Sequence, residues 1–188
     1  MMSDTPRAYP QFSACGLNCG LCPRYYTDGP SRCPGCGGAG FSARHPACGV
    51  LSCCRRNGLE VCFQCEQFPC PRYEGADQSD SFITHRNQFI DLYRAKDIGL
   101  DGYIHQLNDK MDMLCQLLAH YDDGRRKGFF CTAVNLLDTA DIRAILDALR
   151  RQFDGQTPIK LRAAEAVALL QQRADAHGVD LKLRKKGR

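Results

Sequence analysis

Thirteen cysteines occur in 188 residues, and eleven of them lie between Cys15 and Cys70. They run Cys15-x3-Cys19-x2-Cys22, Cys33-x2-Cys36, Cys48, Cys53-Cys54 and Cys62-x2-Cys65-x4-Cys70. A C-x2-C pair lets two sulfurs converge on one ion while the intervening N–H groups point at them. Tetrahedral zinc takes four such sulfurs at about 2.3 Å. Cys33-Pro34-Gly35-Cys36-Gly37 reads as one zinc knuckle, its glycines letting the backbone fold back toward sulfur, and Cys62-Phe63-Gln64-Cys65 reads as another. Cys15, Cys19, Cys22, Cys33, Cys36, Cys48, Cys53, Cys62, Cys65 and Cys70 are the candidate metal ligands. Two four-cysteine sites use eight of the eleven clustered sulfurs; three sites would need all eleven, with His45 as the twelfth ligand. Adjacent cysteines seldom serve one ion together, which makes Cys54 the spare. Spacing leaves open which cysteines share a site.

The metal has two readings. Zinc is the first. The second is a [4Fe–4S] cluster on Cys15, Cys19 and Cys22, whose C-x3-C-x2-C spacing is that of radical S-adenosylmethionine enzymes. Those enzymes need a large α/β barrel downstream, and the second half of this chain reads as helical and too short. Cys22-Pro23 and Cys70-Pro71 resemble the Cys-Pro ending of ferredoxin motifs, without the ferredoxin repeat. A zinc thiolate that accepts a metal or alkyl group is a third, less specific option. The first residues lack the apolar stretch of a secretory signal, and no run of about 18 apolar residues could span a membrane. A cytoplasmic location follows as an expectation, and with it reduced thiols rather than disulfides.

The elements around the cysteines divide the chain in two. Residues 12–78 are poor in large apolar side chains and interrupted by Gly and Pro, with no helical or alternating pattern long enough to bury a face. Burial at about 25 cal/mol per Å² could not offset the ordering entropy of such a segment, so bound metal is expected to staple it. Residues 79–181 read as about five helices. The first runs from Ser79 to Lys96 on Phe82, Ile83, Phe89, Ile90 and Tyr93. The second carries a long stripe of Leu100, Tyr103, Ile104, Leu107, Met111, Leu114, Leu118 and Tyr121. A third spans about Lys127 to Leu137. A fourth is capped by Asp138 or Thr139, and a fifth starts at Thr157-Pro158 and ends at Gly178. Residues 182–188 form a basic tail expected to fray. The predicted fold is mostly α: an irregular, metal-stapled Cys-rich module of knuckles and short turns, followed by a small helical bundle.

Several stretches together resemble a known family. They are Cys15-Gly-Leu-Asn-Cys19-x2-Cys22-Pro-x-Tyr25, Arg32-Cys33-Pro-Gly-Cys36, Cys48-x4-Cys53 and Gly58-Leu-Glu-x-Cys62-x2-Cys65-x2-Phe68-Pro-Cys70. The chain is similar to the cysteine-rich bacterial and archaeal family labelled domain of unknown function 3795. Lys96-Asp-Ile-Gly99-Leu and Tyr121-Asp-Asp-Gly-Arg125 also resemble longer members, so the likeness extends over about residues 13 to 150. It implies a metal-binding protein, the metal taken to be zinc, with no assigned activity. Cys54 departs from the family pattern, and His45 has no family role.

Outside the cluster, Cys131 follows Arg125, Arg126 and Lys127 near a helix start, where a thiolate would be favoured. Its neighbours Phe130 and Val134 argue instead for a core position, as the long stripe does for Cys115. Asp122 and Asp123 read as a helix terminus. No H-E-x-x-H, G-x-S-x-G, phosphate loop or dinucleotide fingerprint occurs, which weighs against an enzyme. Residues 1–78 hold seven Lys/Arg against six Asp/Glu, and two four-thiolate zinc centres would bring that half to about −3. Docking on phosphates needs the opposite sign, so nucleic acid is disfavoured. The sequence therefore supports a binding module whose metal sites fix its loops, with a protein or small molecule as partner.

Overall fold

The computed structural model describes residues 5–154 and 156–185. Gly155 of the last turn and the tail cations Lys186 and Arg188 lie outside them. Among the described residues there are six α-helices and no strand: α1 (Gly49–Arg56), α2 (Gln88–Ile98), α3 (Leu100–Tyr121), α4 (Lys127–Leu136), α5 (Thr139–Gln152) and α6 (Ile159–Ala176). Between Cys19 and Tyr73 the chain otherwise runs through short 3-10 turns.

The expected stripe makes α3 the organising helix. Tyr103, Ile104, Leu107, Leu114, Leu117 and Tyr121 are buried, and α3 packs against α2, α4, α5, α6 and the turn at Cys19–Leu21. Met113 and Leu117 lie innermost, while Met111 and Leu118 sit on the flank. α4 buries six consecutive residues, Phe130 to Asn135, as a helix enclosed on every side must. Asp122 and Asp123 are a helix terminus, as read: Asp122 Oδ1 accepts the N–H groups of Gly124 at 3.0 Å and Arg126 at 2.9 Å, just before α4.

Three expectations change. The first predicted helix starts at Gln88, not Ser79, because the Asp80 carboxylate takes the backbone N–H groups of His85 (2.8 Å) and Arg184 (2.7 Å) and fixes an irregular approach. Its buried face is Gln88, Leu92 and Ala95, leaving Ile90 and Tyr93 exposed. Cys115 is exposed on α3, not in the core. A short helix, α1, lies within the segment read as having none; Cys48 precedes it, and Cys53 and Cys54 ride on it.

The Cys-rich segment also has an apolar interior, one built jointly with the helices. Phe12, Leu21 and Val61 are fully buried in the same continuous core as Leu92, Leu114 and Phe130. The Phe12 and Tyr103 rings lie 4.6 Å apart. Gly16, at φ +93°, sits where a Cβ would lie 2.4 Å from the Leu92 side chain and 2.7 Å from the Gln88 carbonyl, so the Cys15–Cys19 loop docks on α2 by having no side chain there.

The tail is tethered as far as it is described. Leu181 is buried, Arg184 pairs with Asp80 at 2.9 Å, and Arg86 donates to the Asp180 and Lys182 carbonyls. Burial alone would raise the Asp80 carboxyl, but Arg184 and the two N–H groups outweigh it and hold the pKa at about 2. A folded pKa below the unfolded value stabilises the fold above pH ~4, and this contribution vanishes as pH falls through about 2. Acid titration of stability should therefore show a loss on the order of 2 kcal/mol between pH ~4 and ~2 that Asp80→Asn abolishes. Equal acid sensitivity in wild type and variant would contradict it.

Candidate functional site

All thirteen cysteines are free thiols. The folding of the loops gathers the clustered ones into neighbourhoods, each fixed by backbone hydrogen bonds across the segment. Cys36 N–H donates to Pro10 O at 2.8 Å, Cys62 N–H to Ala14 O at 2.9 Å, and Cys33 N–H to Arg24 O at 2.9 Å. In the knuckle sequence, Gly35 adopts φ +83°, where a Cβ would collide with the Pro10 carbonyl at 2.3 Å.

The first neighbourhood contains Cys15, Cys19, Cys36 and Cys48. Burial, opposed by the Ser13 hydroxyl at 3.1 Å and helped by Cys36 and Cys48, pushes the Cys15 thiol up to about 11. Burial raises Cys19 well above the ordinary value, and Cys36, Cys15 and Cys22 add to this. Cys22 and Cys33 adjoin each other, and Cys22 lies toward Cys131. Backbone N–H groups face several sulfurs and favour their charged form: Leu17 toward Cys15, and Arg24 and Tyr25 toward Cys22.

The second neighbourhood surrounds a cavity of about 120 Å³ lined by Cys53, Cys54, Cys62, Cys65 and Cys70, with Phe68 and Arg72 in its wall. The Cys54 thiol donates to Cys62, which lowers Cys62 and raises Cys54. Cys54, the expected spare, is thus part of this group. His45 is not: its ring stacks on Phe41 at 4.5 Å and contacts the Pro46 carbonyl.

Among the described residues, no three His, Cys, Asp or Glu side chains close on one point as the ligands of an ion. The thiols stand as neighbours, and a shared ion would require their side chains to turn inward. The polar surroundings suit such a charge change. Arg7 is almost fully buried; it donates to the Phe12 and Cys36 carbonyls at 3.0 Å each and to Glu60 O at 2.7 Å, and pairs with the Glu60 carboxylate at 3.1 Å. Its positive charge favours ionised Cys36, and its Nε has no partner. The buried Tyr73 hydroxyl also lacks a regular hydrogen bond and adjoins Cys62. Both are donors beside sulfur, and a thiolate is an acceptor that suits each.

Asn18 is the residue that sequence reasoning passed over. Its carboxamide is buried between Cys15 and Cys19, where Nδ2 donates to Asp91 Oδ2 at 2.8 Å and Asn135 Oδ1 at 3.2 Å, and Oδ1 accepts the Tyr103 hydroxyl at 2.8 Å. One side chain therefore bolts the first cysteine motif to α2, α3 and α4. Burial pushes Asp91 up to about 6 against the donors Tyr103 and Asn18 and the charge of Lys110. Asn18 stood in the quoted Gly-Leu-Asn-Cys string, but a buried amide with three distant partners has no local pattern. Cys131 is buried on α4 and its thiol is raised by burial, as expected of a core position.

Residues 11–75 match the family model described as protein of unknown function (DUF3795). Over this third of the chain the protein is similar to the DUF3795 family. The match takes in every clustered cysteine and ends before α2, so the expected likeness at Lys96–Leu100 and Tyr121–Arg125 lies beyond it. The chain matches no curated protein and no solved structure. The DUF3795 segment thus meets the rest of the chain through Asn18, Phe12 and Gly16. Asn18→Ala should cost about 2–4 kcal/mol in urea unfolding, since it strands Asp91, Asn135 and Tyr103 together. A loss below about 0.5 kcal/mol would show the network to be dispensable.

Proposed function

We propose that the DUF3795 segment is a zinc-binding module whose thiolate sites fix the loops of a protein- or ligand-binding unit. The observation that carries it is the grouping of free thiols into two neighbourhoods beside buried donors, the Arg7 Nε without a partner and the Tyr73 hydroxyl turned to Cys62. In this reading Cys53, Cys62, Cys65 and Cys70 turn into their shared cavity as one set. A second set is drawn from Cys15, Cys19, Cys36 and Cys48, with Cys22 and Cys33 beside it. Apart from Cys62, which the Cys54 donor lowers, the buried thiols stay protonated without a cation; zinc displaces those protons, and its binding energy becomes folding energy. Zinc would supply four-way cross-linking, while Arg7 and Arg72 offset the anionic sulfurs.

The partner surface in this reading is helical. Ile90, Tyr93 and Ile98 on α2 are exposed beside Phe68 of the module, the Tyr93 and Phe68 rings lying 5.6 Å apart. One observation favours the iron–sulfur alternative: Cys19 adjoins both Cys15 and Cys22, the trio with cluster spacing. No helix among the described residues is long and apolar enough to cross a membrane.

Metal analysis and the optical spectrum of protein purified without oxygen separate these readings. The zinc reading expects a colourless protein with about two or three zinc ions per chain. Cys65→Ser should then lose about one of them, with a large fall in stability, and Cys115→Ser none. A brown band near ~400 nm with iron and labile sulfide would replace it with the cluster reading, and a well-folded, metal-free protein would end both.

A further inference from the structure

A cavity of about 240 Å³ lies outside the cysteine-rich segment, where the C-terminal ends of α3 and α5 meet the first turn of α6. His120, Arg150 and Arg162 line it on the basic side, and Leu146 and Phe153 form an apolar wall. Arg150 is held in place by Asp147 at 2.8 Å and by Gln116. Arg162 is different. It is half-buried, its Nε is shut off from solvent, and its side chain has no hydrogen bond or ion pair among the described residues. The Asp154 carboxylate also lines the cavity but lies beyond ion-pair distance of Arg162, its Oδ1 accepting Gln156 N–H at 3.0 Å, Thr157 N–H at 3.1 Å and the Thr157 hydroxyl at 3.0 Å.

The Arg162 Nε is a buried donor with no acceptor, a cost that an anion in the cavity would remove. Two guanidiniums and an imidazole around one cavity offer several donors, which match the several oxygens of a phosphate better than the two of a carboxylate. Phe153 and Leu146 offer a flat apolar surface for whatever the phosphate carries. The volume falls just below the ~300–1,000 Å³ of most ligand pockets, which confines the ligand to a small molecule. We infer that this cavity binds a small organic phosphate monoester, with Arg162 as its principal anchor. The inference rests on the helices alone and stands or falls independently of the zinc reading.

Calorimetric titration of the full-length chain with phenyl phosphate, inorganic phosphate and benzoate tests it. Phenyl phosphate should bind saturably and more tightly than either other probe. Arg162→Gln should weaken it roughly tenfold or more, and Arg162→Lys by an intermediate factor. Phe153→Ala should remove the advantage of phenyl phosphate over inorganic phosphate. Should the variants unfold, wild-type NMR decides, with shifts on adding phenyl phosphate centred on His120, Phe153 and Arg162. Absence of saturable binding at millimolar concentration, unchanged affinity in Arg162→Gln, benzoate binding as tightly as phenyl phosphate, or shifts elsewhere would each overturn it.

Discussion

Placing eleven thiols within a span of about sixty residues leaves few positions for large apolar side chains, and what the segment lacks must come from outside it. Phe12, Leu21 and Val61 are spent entirely on one core shared with α2, α3 and α4, and none is left to form a separate interior. The Asn18 carboxamide completes the attachment by satisfying groups from those three helices at once. A buried amide of this kind contributes through its full set of partners, since losing it leaves several desolvated groups unpaired. The helical half therefore serves as the floor on which the cysteine loops are laid out.

Burial has a second consequence for those loops. Thiols taken out of water resist ionisation, and Cys15, Cys19, Cys22 and Cys36 are all raised for that reason first. Counteracting features are concentrated at the same places: N–H groups aimed at sulfur, the Arg7 guanidinium near Cys36, and Arg72 near Cys62. Such an environment leaves the thiols neutral alone and accommodates them as anions around a cation. The cavity between α3, α5 and α6 differs in kind: its buried group without a partner is a donor, the Arg162 Nε.

Much of this was legible from residue order. The five helices after Ser79, the α3 stripe and the turn at Asp122-Asp123 follow from apolar spacing and breaker residues, which are local signals. The α2 face was not legible, because Phe82, Ile90 and Tyr93 are exposed while Gln88 turns inward to donate to the Cys15 carbonyl at 2.9 Å. Polar burial of that sort obeys a distant partner and leaves no periodic trace. Cys115 was misplaced for a related reason: it adjoins the stripe in sequence but sits on the outward side of α3. The short helix α1 escaped notice because eight residues with only Val50 and Leu51 as large aliphatics give no readable period. The cysteine positions suggested a ligand set, whereas the grouping depends on carbonyls that spacing does not encode, Ala14 for Cys62 at the cavity and Pro10 and Arg24 for Cys36 and Cys33.

The central claim is that cysteine sulfur, not nitrogen or oxygen, holds the metal of this segment. X-ray absorption at the zinc edge of the intact, anaerobically purified chain reads the donor atoms directly. The account predicts a first shell of four sulfurs at about 2.3 Å in every site, with no outer-shell imidazole signal. A shell dominated by nitrogen or oxygen at about 2.0 Å, or zinc present only in trace amount, would contradict it.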